Sequence, residues 1–154
     1  MLITAGTFSE GQKQTDKTFN TMTASWGGLG FLWNKPAAFI FVRPQRFTYT
    51  FTEKEDVFTL SFFSPSYKEA LSLCGKVSGK NTNKVYDAGL TPFACENGSV
   101  AFEEASLILE CRKMYADVIK AQNFTDSSII SSVYSGNDFH KMYIGEITQV
   151  WKQK

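Results

Sequence analysis

Two stretches of the chain gather side chains able to hold an anion. Arg43-Pro44-Gln45-Arg46-Phe47-Thr48 sets two guanidinium groups and a hydroxyl where an apolar run gives way to a helical pattern. Amide donors and the dipole of a helix start favour negative charge at such a junction. Gly75-Lys76-Val77-Ser78-Gly79-Lys80 has the outline of a phosphate loop, but one residue is missing between the glycines and Asn81 stands where a hydroxyl belongs. What remains is a hydroxyl, a flexible glycine and the amines of Lys76, Lys80 and Lys84, a cradle suited to a phosphate monoester. Either stretch alone also fits a solvated basic loop or a surface ion pair. Two of them in one small chain point to an anionic ligand.

A third block, Thr18 to Gly30, packs small hydroxyl residues and glycines between large apolar ones, so that backbone amides can approach a ligand closely. It is expected to be a binding loop. Other chemistries find little support. Glu103 and Glu104 are adjacent ahead of a strand and point to opposite faces, which is poor geometry for one acid/base site. His140 is the only histidine, and no Gly-x-Ser-x-Gly elbow presents a nucleophile. With Asp138 two residues before it, His140 reads either as a ligand contact or as a satisfied structural residue, and the structural reading is favoured. Cys74, Cys95 and Cys111 are widely separated with no Cys-x-x-Cys, so buried reduced thiols are expected and no metal site is assigned.

The elements that would position these residues are mostly strands. Aromatics are abundant, with 14 Phe, 6 Tyr and 3 Trp, and many alternate with small or polar residues. Leu2 to Thr7 reads as a strand and Phe8 to Lys17 as the turn that returns it. Pro36 to Arg43 is a continuous apolar run, as in a strand covered on both faces. Pro44 is expected to open a helix running to Glu53, with Phe47 and Phe51 on one face. Val57 to Phe63 is a strand, Tyr67 to Cys74 a short helix, and Lys76 to Tyr86 a polar loop passing into a helix. Val100 to Tyr115 alternates as one long strand. Asn123 to Asn137 is irregular or helical, and His140 to Val150 is a last strand with Gly145 where a barrel wall bends. About six strands and two or three short helices predict a mainly-β, mostly antiparallel barrel, since closing the sheet removes apolar edges.

The 154 residues, 43% hydrophobic, suit one domain spanning the chain. Sixteen basic against fifteen acidic side chains leave a net charge of +1, so no global field draws the protein to nucleic acid or an anionic membrane. The first residues lack a basic start and a signal-length apolar stretch, and no run is long enough to span a bilayer. A cytoplasmic location is expected.

With Asn20-Thr21-Met22-Thr23-Ala24-Ser25-Trp26, Trp33-Asn34-Lys35-Pro36, Arg43-Pro44-Gln45-Arg46-Phe47-Thr48, Cys74-Gly75 with Ser78-Gly79, and Gly145-Glu146-Ile147, the sequence resembles the flavin reductase-like family of FMN-binding split β-barrels, its flavoredoxin-like members above all. The resemblance runs in order over nearly the whole chain. It implies a Greek-key split barrel, a homodimer, and FMN held noncovalently near the subunit interface. Asn20, Thr21, Met22, Thr23, Ala24 and Ser25 would lie along the isoalloxazine ring. Arg43, Arg46 and Thr48 would line the ribityl and phosphate side, with Ser78 and Lys84 completing the phosphate site. NADH or NADPH would be the reductant, and free flavin or a redox partner protein the acceptor. Hydride transfer to flavin needs no protein nucleophile, so no catalytic residue is assigned. The family pattern has more chain ahead of the first strand, and its lack here would leave part of the flavin site or the dimer seam more open. Two alternatives stand beside the reductase: a non-catalytic FMN-binding module, and a barrel for single-stranded nucleic acid that the near-neutral charge disfavours.

Overall fold

In the computed structural model, which describes residues 1–11 and 17–153, seven strands form one antiparallel sheet. In chain order the elements are β1 (Leu2–Gly6), β2 (Phe19–Thr23), β3 (Gly27–Leu32), β4 (Lys35–Val42), α1 (Thr48–Lys54), β5 (Val57–Phe62), α2 (Lys68–Lys76), α3 (Lys84–Asp87), β6 (Pro92–Ala94), β7 (Val100–Phe102), β8 (Leu107–Val118), α4 (Ser127–Val133) and β9 (Lys141–Lys152). The sheet order is β2-β1-β5-β8-β9-β4-β3, and β6 and β7 pair separately as a hairpin. The turn expected over Phe8 to Lys17 falls in part on residues 12–16, outside the described residues.

The sheet is rolled rather than flat. Met22 of β2 shares a buried cluster with Ala38, Ile40 and Val42 of β4. Those strands are five positions apart in the sheet, and flat packing would separate them by about 24 Å. Closing them over Phe58, Leu60, Leu109 and Tyr143 makes the barrel core. β1 is buried along its whole length, because Ile3 and Ala5 face that core while Leu2 faces a second cluster with Cys74, Val85 and Phe102.

Several expectations change. Thr18 to Gly30 is not a loop: it forms β2 and β3, joined through Ala24–Trp26. The run over Pro36 to Arg43 is indeed a strand, although Phe39 and Phe41 stay half-buried. The helix does not start at Pro44. Arg46 N donates to Arg43 O at 3.0 Å and Tyr49 N to Arg46 O at 2.8 Å, so Arg43 to Phe47 makes a turn and α1 begins at Thr48.

The stretch from Val100 to Tyr115 is two strands, broken at Glu103–Ser106, where the Glu104 carboxylate accepts from Thr91 N with both oxygens at 3.0 Å. Its alternation also misleads. Ile108 and Glu110 are buried as Leu109 and Cys111 on the opposite face are, because the β6–β7 hairpin covers their side, Cys95 and Ala101 packing with Ile108. The Glu110 carboxylate is met there by Asn97 N at 3.3 Å and Trp151 Nε1 at 2.6 Å. Gly145 does mark a bend: it pairs with Lys113, and the β8–β9 register then shifts before Tyr115.

Candidate functional site

The polar half of the site is built at the C-terminal end of α2. A helix end leaves carbonyls without intrahelical partners, and cations suit it. Lys84 Nζ reaches back from α3 to Cys74 O and Val77 O, both at 3.1 Å, and Arg46 Nη2 donates to Gly75 O at 3.1 Å. With Thr48, Lys76 and Ser78 these residues line a cavity of about 200 Å³. Asn20 Nδ2 donates to Thr48 Oγ1 at 2.7 Å, which leaves the threonine hydroxyl its own hydrogen to give. Gly79 closes over this pair: a Cβ there would stand 2.0 Å from Asn20 Oδ1 and 3.4 Å from Lys84 Cε.

The electrostatics are unbalanced. Burial, with a smaller push from Arg46, lowers Lys84 to about 8 even though Cys74 works in the opposite direction. Burial also lowers Arg46, which stays charged throughout the physiological range. Six cations elsewhere pair with carboxylates, yet among the described residues neither Arg46 nor Lys84 does. Two partly dehydrated cations thus face one cavity without a counter-ion. An anion carrying two charges would complete it.

The second half is apolar. Met1, Ala24, Ser25, Leu29, Leu60 and Leu71 are among the residues lining a cavity of about 460 Å³, within the range of small-ligand sites. The two cavities share α2. Leu71 borders the apolar one and Gly75 the polar one, four residues apart on the same helix face. Thr23 bridges them: its hydroxyl donates to Leu71 O, and a Cβ on Gly75 would stand 3.3 Å from its Cβ. A ligand with an apolar ring system at one end and a phosphate at the other spans this arrangement.

The expected residues separate into three groups. Arg46, Thr48, Ser78 and Lys84 line the polar cavity, with Asn20 holding Thr48. Thr23, Ala24 and Ser25 line the apolar one. Three others are not brought in. Arg43 turns to Asp138, to Val133 O at 3.0 Å and over the Tyr134 ring at 5.4 Å. Thr21 is fully buried, accepting from Thr4 Oγ1 at 2.9 Å and donating to Ile3 O at 3.2 Å, and Met22 belongs to the barrel core. Both lie mid-strand, Thr21 paired across to β1 and Met22 turned into the barrel, whereas Asn20 and Thr23 stand toward the two ends of β2.

His140 has the structural surroundings expected of it. Its Nδ1 meets Tyr134 Oη at 2.9 Å and Trp26 packs on its ring at 4.9 Å, while Asp138 serves Arg43 and Gln45 instead. Sequence reasoning missed the apolar walls from Leu29, Leu60, Phe62 and Leu71. Nothing in their spacing separates a pocket wall from a core. All three cysteines are free and buried, and among the described residues no three His, Cys, Asp or Glu side chains gather as a metal site.

Comparison with known proteins fits this geometry. Residues 1–154 match the model of the flavin reductase like domain. No curated protein matches. Among solved structures, flavoredoxin of Desulfovibrio vulgaris (Miyazaki F) is 23% identical with a TM-score of 0.71, covering 99% of this chain and 69% of its own. An FMN-binding protein from Thermus thermophilus, solved with 1-cyclohex-2-enone, is 21% identical at 0.68, covering 98% and 69%. Nitrilotriacetate monooxygenase component B from Bacillus cereus is 18% identical at 0.72, covering 99% and 69%. At these identities the likeness establishes the fold, which is the split barrel expected from the sequence.

Proposed function

Because the chain belongs to the flavin reductase-like domain family, we propose that it binds FMN noncovalently across the two cavities and moves electrons from NADH or NADPH to an acceptor. The observation that carries this reading is the pair Arg46 and Lys84, two cations without a carboxylate, one helical turn from an apolar cavity. Arg46 and Lys84 would bind the phosphate by charge, and Ser78 and Thr48 would add hydroxyl donors. Ala24, Ser25, Leu29 and Leu71 would cover the ring system and keep water from it. Thr23 would orient the ligand where the two cavities meet. The flavin, when bound, supplies the hydride and electron chemistry. None of the chain's own groups then has to act as nucleophile or general base, in keeping with the lack of a carboxylate pair or a catalytic triad at this site.

The proposal includes a homodimer, the assembly that the family resemblance implies. β3 is an edge strand, and its residues Leu29 and Phe31, with Trp33 in the turn beyond, are 57%, 71% and 56% exposed. A second copy covering this edge would also cover the mouth of the apolar cavity, to which Leu29 contributes. Among the described residues no helix is long and apolar enough to cross a membrane.

Anaerobic mixing of the FMN-loaded protein with NADH and, separately, NADPH tests the reductase reading. Bleaching of the yellow flavin absorbance by at least one nucleotide is the expected result. Persistent colour with both would leave a protein that holds FMN without oxidising a nicotinamide.

A further inference from the structure

The cations of this protein are unevenly used. Lys35, Arg43, Lys54, Arg112, Lys120 and Lys141 are each committed to a carboxylate. Of the described cations in none of these pairs, Lys68 stands at the start of α2, Lys113 on β8 and Lys152 at the end of β9, whereas Lys17, Arg46, Lys76, Lys80 and Lys84 gather about one cavity mouth. Arg46, Lys76 and Lys84 line it directly. Lys80 follows Gly79, which packs on Asn20 beside Lys84, and Lys17 Nζ donates to Lys80 O. The described carboxylates nearest to them in sequence, Glu10, Glu53, Glu69 and Asp87, form no ion pair with any of them.

Charge balance divides this set in two. A phosphate monoester carries about −1.5 to −2 at neutral pH. Arg46, half-buried, and Lys84, buried, match it. Lys17, Lys76 and Lys80 are all exposed and, among the described residues, pair with no carboxylate, so they remain in excess there once the phosphate is bound. Exposed lysines on flexible stems grip a small anion poorly. They steer and orient a large, oppositely charged surface well, through a field that salt screens. A single-stranded nucleic acid would also need rings to stack on. The exposed Trp26, Leu29, Phe31 and Trp33 lie in and around β3, whereas α3 offers Tyr86 alone.

We propose that Lys17, Lys76 and Lys80 form the docking surface for an acidic electron-carrier protein, which they would bring against the phosphate end of the flavin site. This rests on the flavin reading, because the cofactor's phosphate leaves these three lysines uncompensated.

The test uses the full chain and an acidic plant-type ferredoxin as probe, with binding measured by titration calorimetry at low salt, with and without FMN. Lys17→Glu/Lys80→Glu should weaken ferredoxin binding at least tenfold, and FMN binding by a much smaller factor. Lys54→Glu/Lys152→Glu, with the same change in net charge, should leave both nearly unchanged. Raising salt to 0.3 M should weaken binding to the unaltered protein. Several results would overturn the docking surface: no ferredoxin binding by the unaltered protein, equal loss in both double variants, or capture at these lysines of a single-stranded oligonucleotide but not ferredoxin. A protein that takes up no FMN yet binds ferredoxin through Lys17 and Lys80 would sink the flavin reading and keep the acidic partner.

Discussion

Lys84 is held at a cost that a ligand relieves. Burial, with a smaller push from Arg46, lowers its pKa to about 8, although two carbonyls accept from the ammonium at 3.1 Å each. A lysine lowered in the folded state binds fewer protons there than in the unfolded chain between about 8 and its ordinary value. The free protein therefore gains stability from this group as pH rises through that window. A phosphate dianion prefers the protonated form, so its affinity moves the other way. FMN dissociation constants measured across pH should stay level from 7 to about 8 and then rise by up to about tenfold per unit. Lys84→Met should weaken binding at pH 7 and remove the alkaline rise. A rise that survives in that variant would place the titrating group elsewhere. Arg46→Ala should weaken FMN at least tenfold, about 1.4 kcal/mol. Arg46 and Lys84 drew notice because each lies in a stretch where several cations gather with a hydroxyl. Arg43 carried the same signal, but its partner Asp138 lies 95 positions away, beyond the reach of local pattern.

At the scale of elements, α2 links the two cavities and the barrel wall sets their shape. Gly145 shows how tightly that wall is packed, because a Cβ there would stand 2.6 Å from Phe58 Cζ and 3.0 Å from Cys111 Cβ. Gly145→Ala should destabilise the fold by about 1–3 kcal/mol through overpacking. Thermal unfolding checks this, and an unchanged midpoint would show that the ring of Phe58 can move aside. The bend at Gly145 was readable because glycine inside an apolar strand has few other uses. The strands β2 and β3 were not: the three glycines of β3 have low strand propensity, which pairing with β4 overrides, and the threonine-rich β2 was read with them as one binding loop. β8 shows a similar limit: alternation assumes one wet face, and the β6–β7 hairpin covers that face with residues whose own strands are only three long.

At the scale of the molecule, the exposed apolar edge at β3 and the half-open apolar cavity belong to one surface. If a second copy covers it, sedimentation should give a dimer, and Phe31→Asp should shift the protein toward monomer and loosen FMN together. A monomeric unaltered protein would separate the flavin site from any partner chain. The barrel itself was readable from strand count and apolar edges, whereas the division into two cavities depends on how α2 crosses β2, which no single stretch encodes. All of this depends on one ligand. The most direct measurement is a titration of the purified protein with FMN, followed by flavin fluorescence, beside Arg46→Ala and Lys84→Met. Saturable uptake, weakened in both variants, is the predicted result. No saturable uptake, or uptake indifferent to both substitutions, would contradict it.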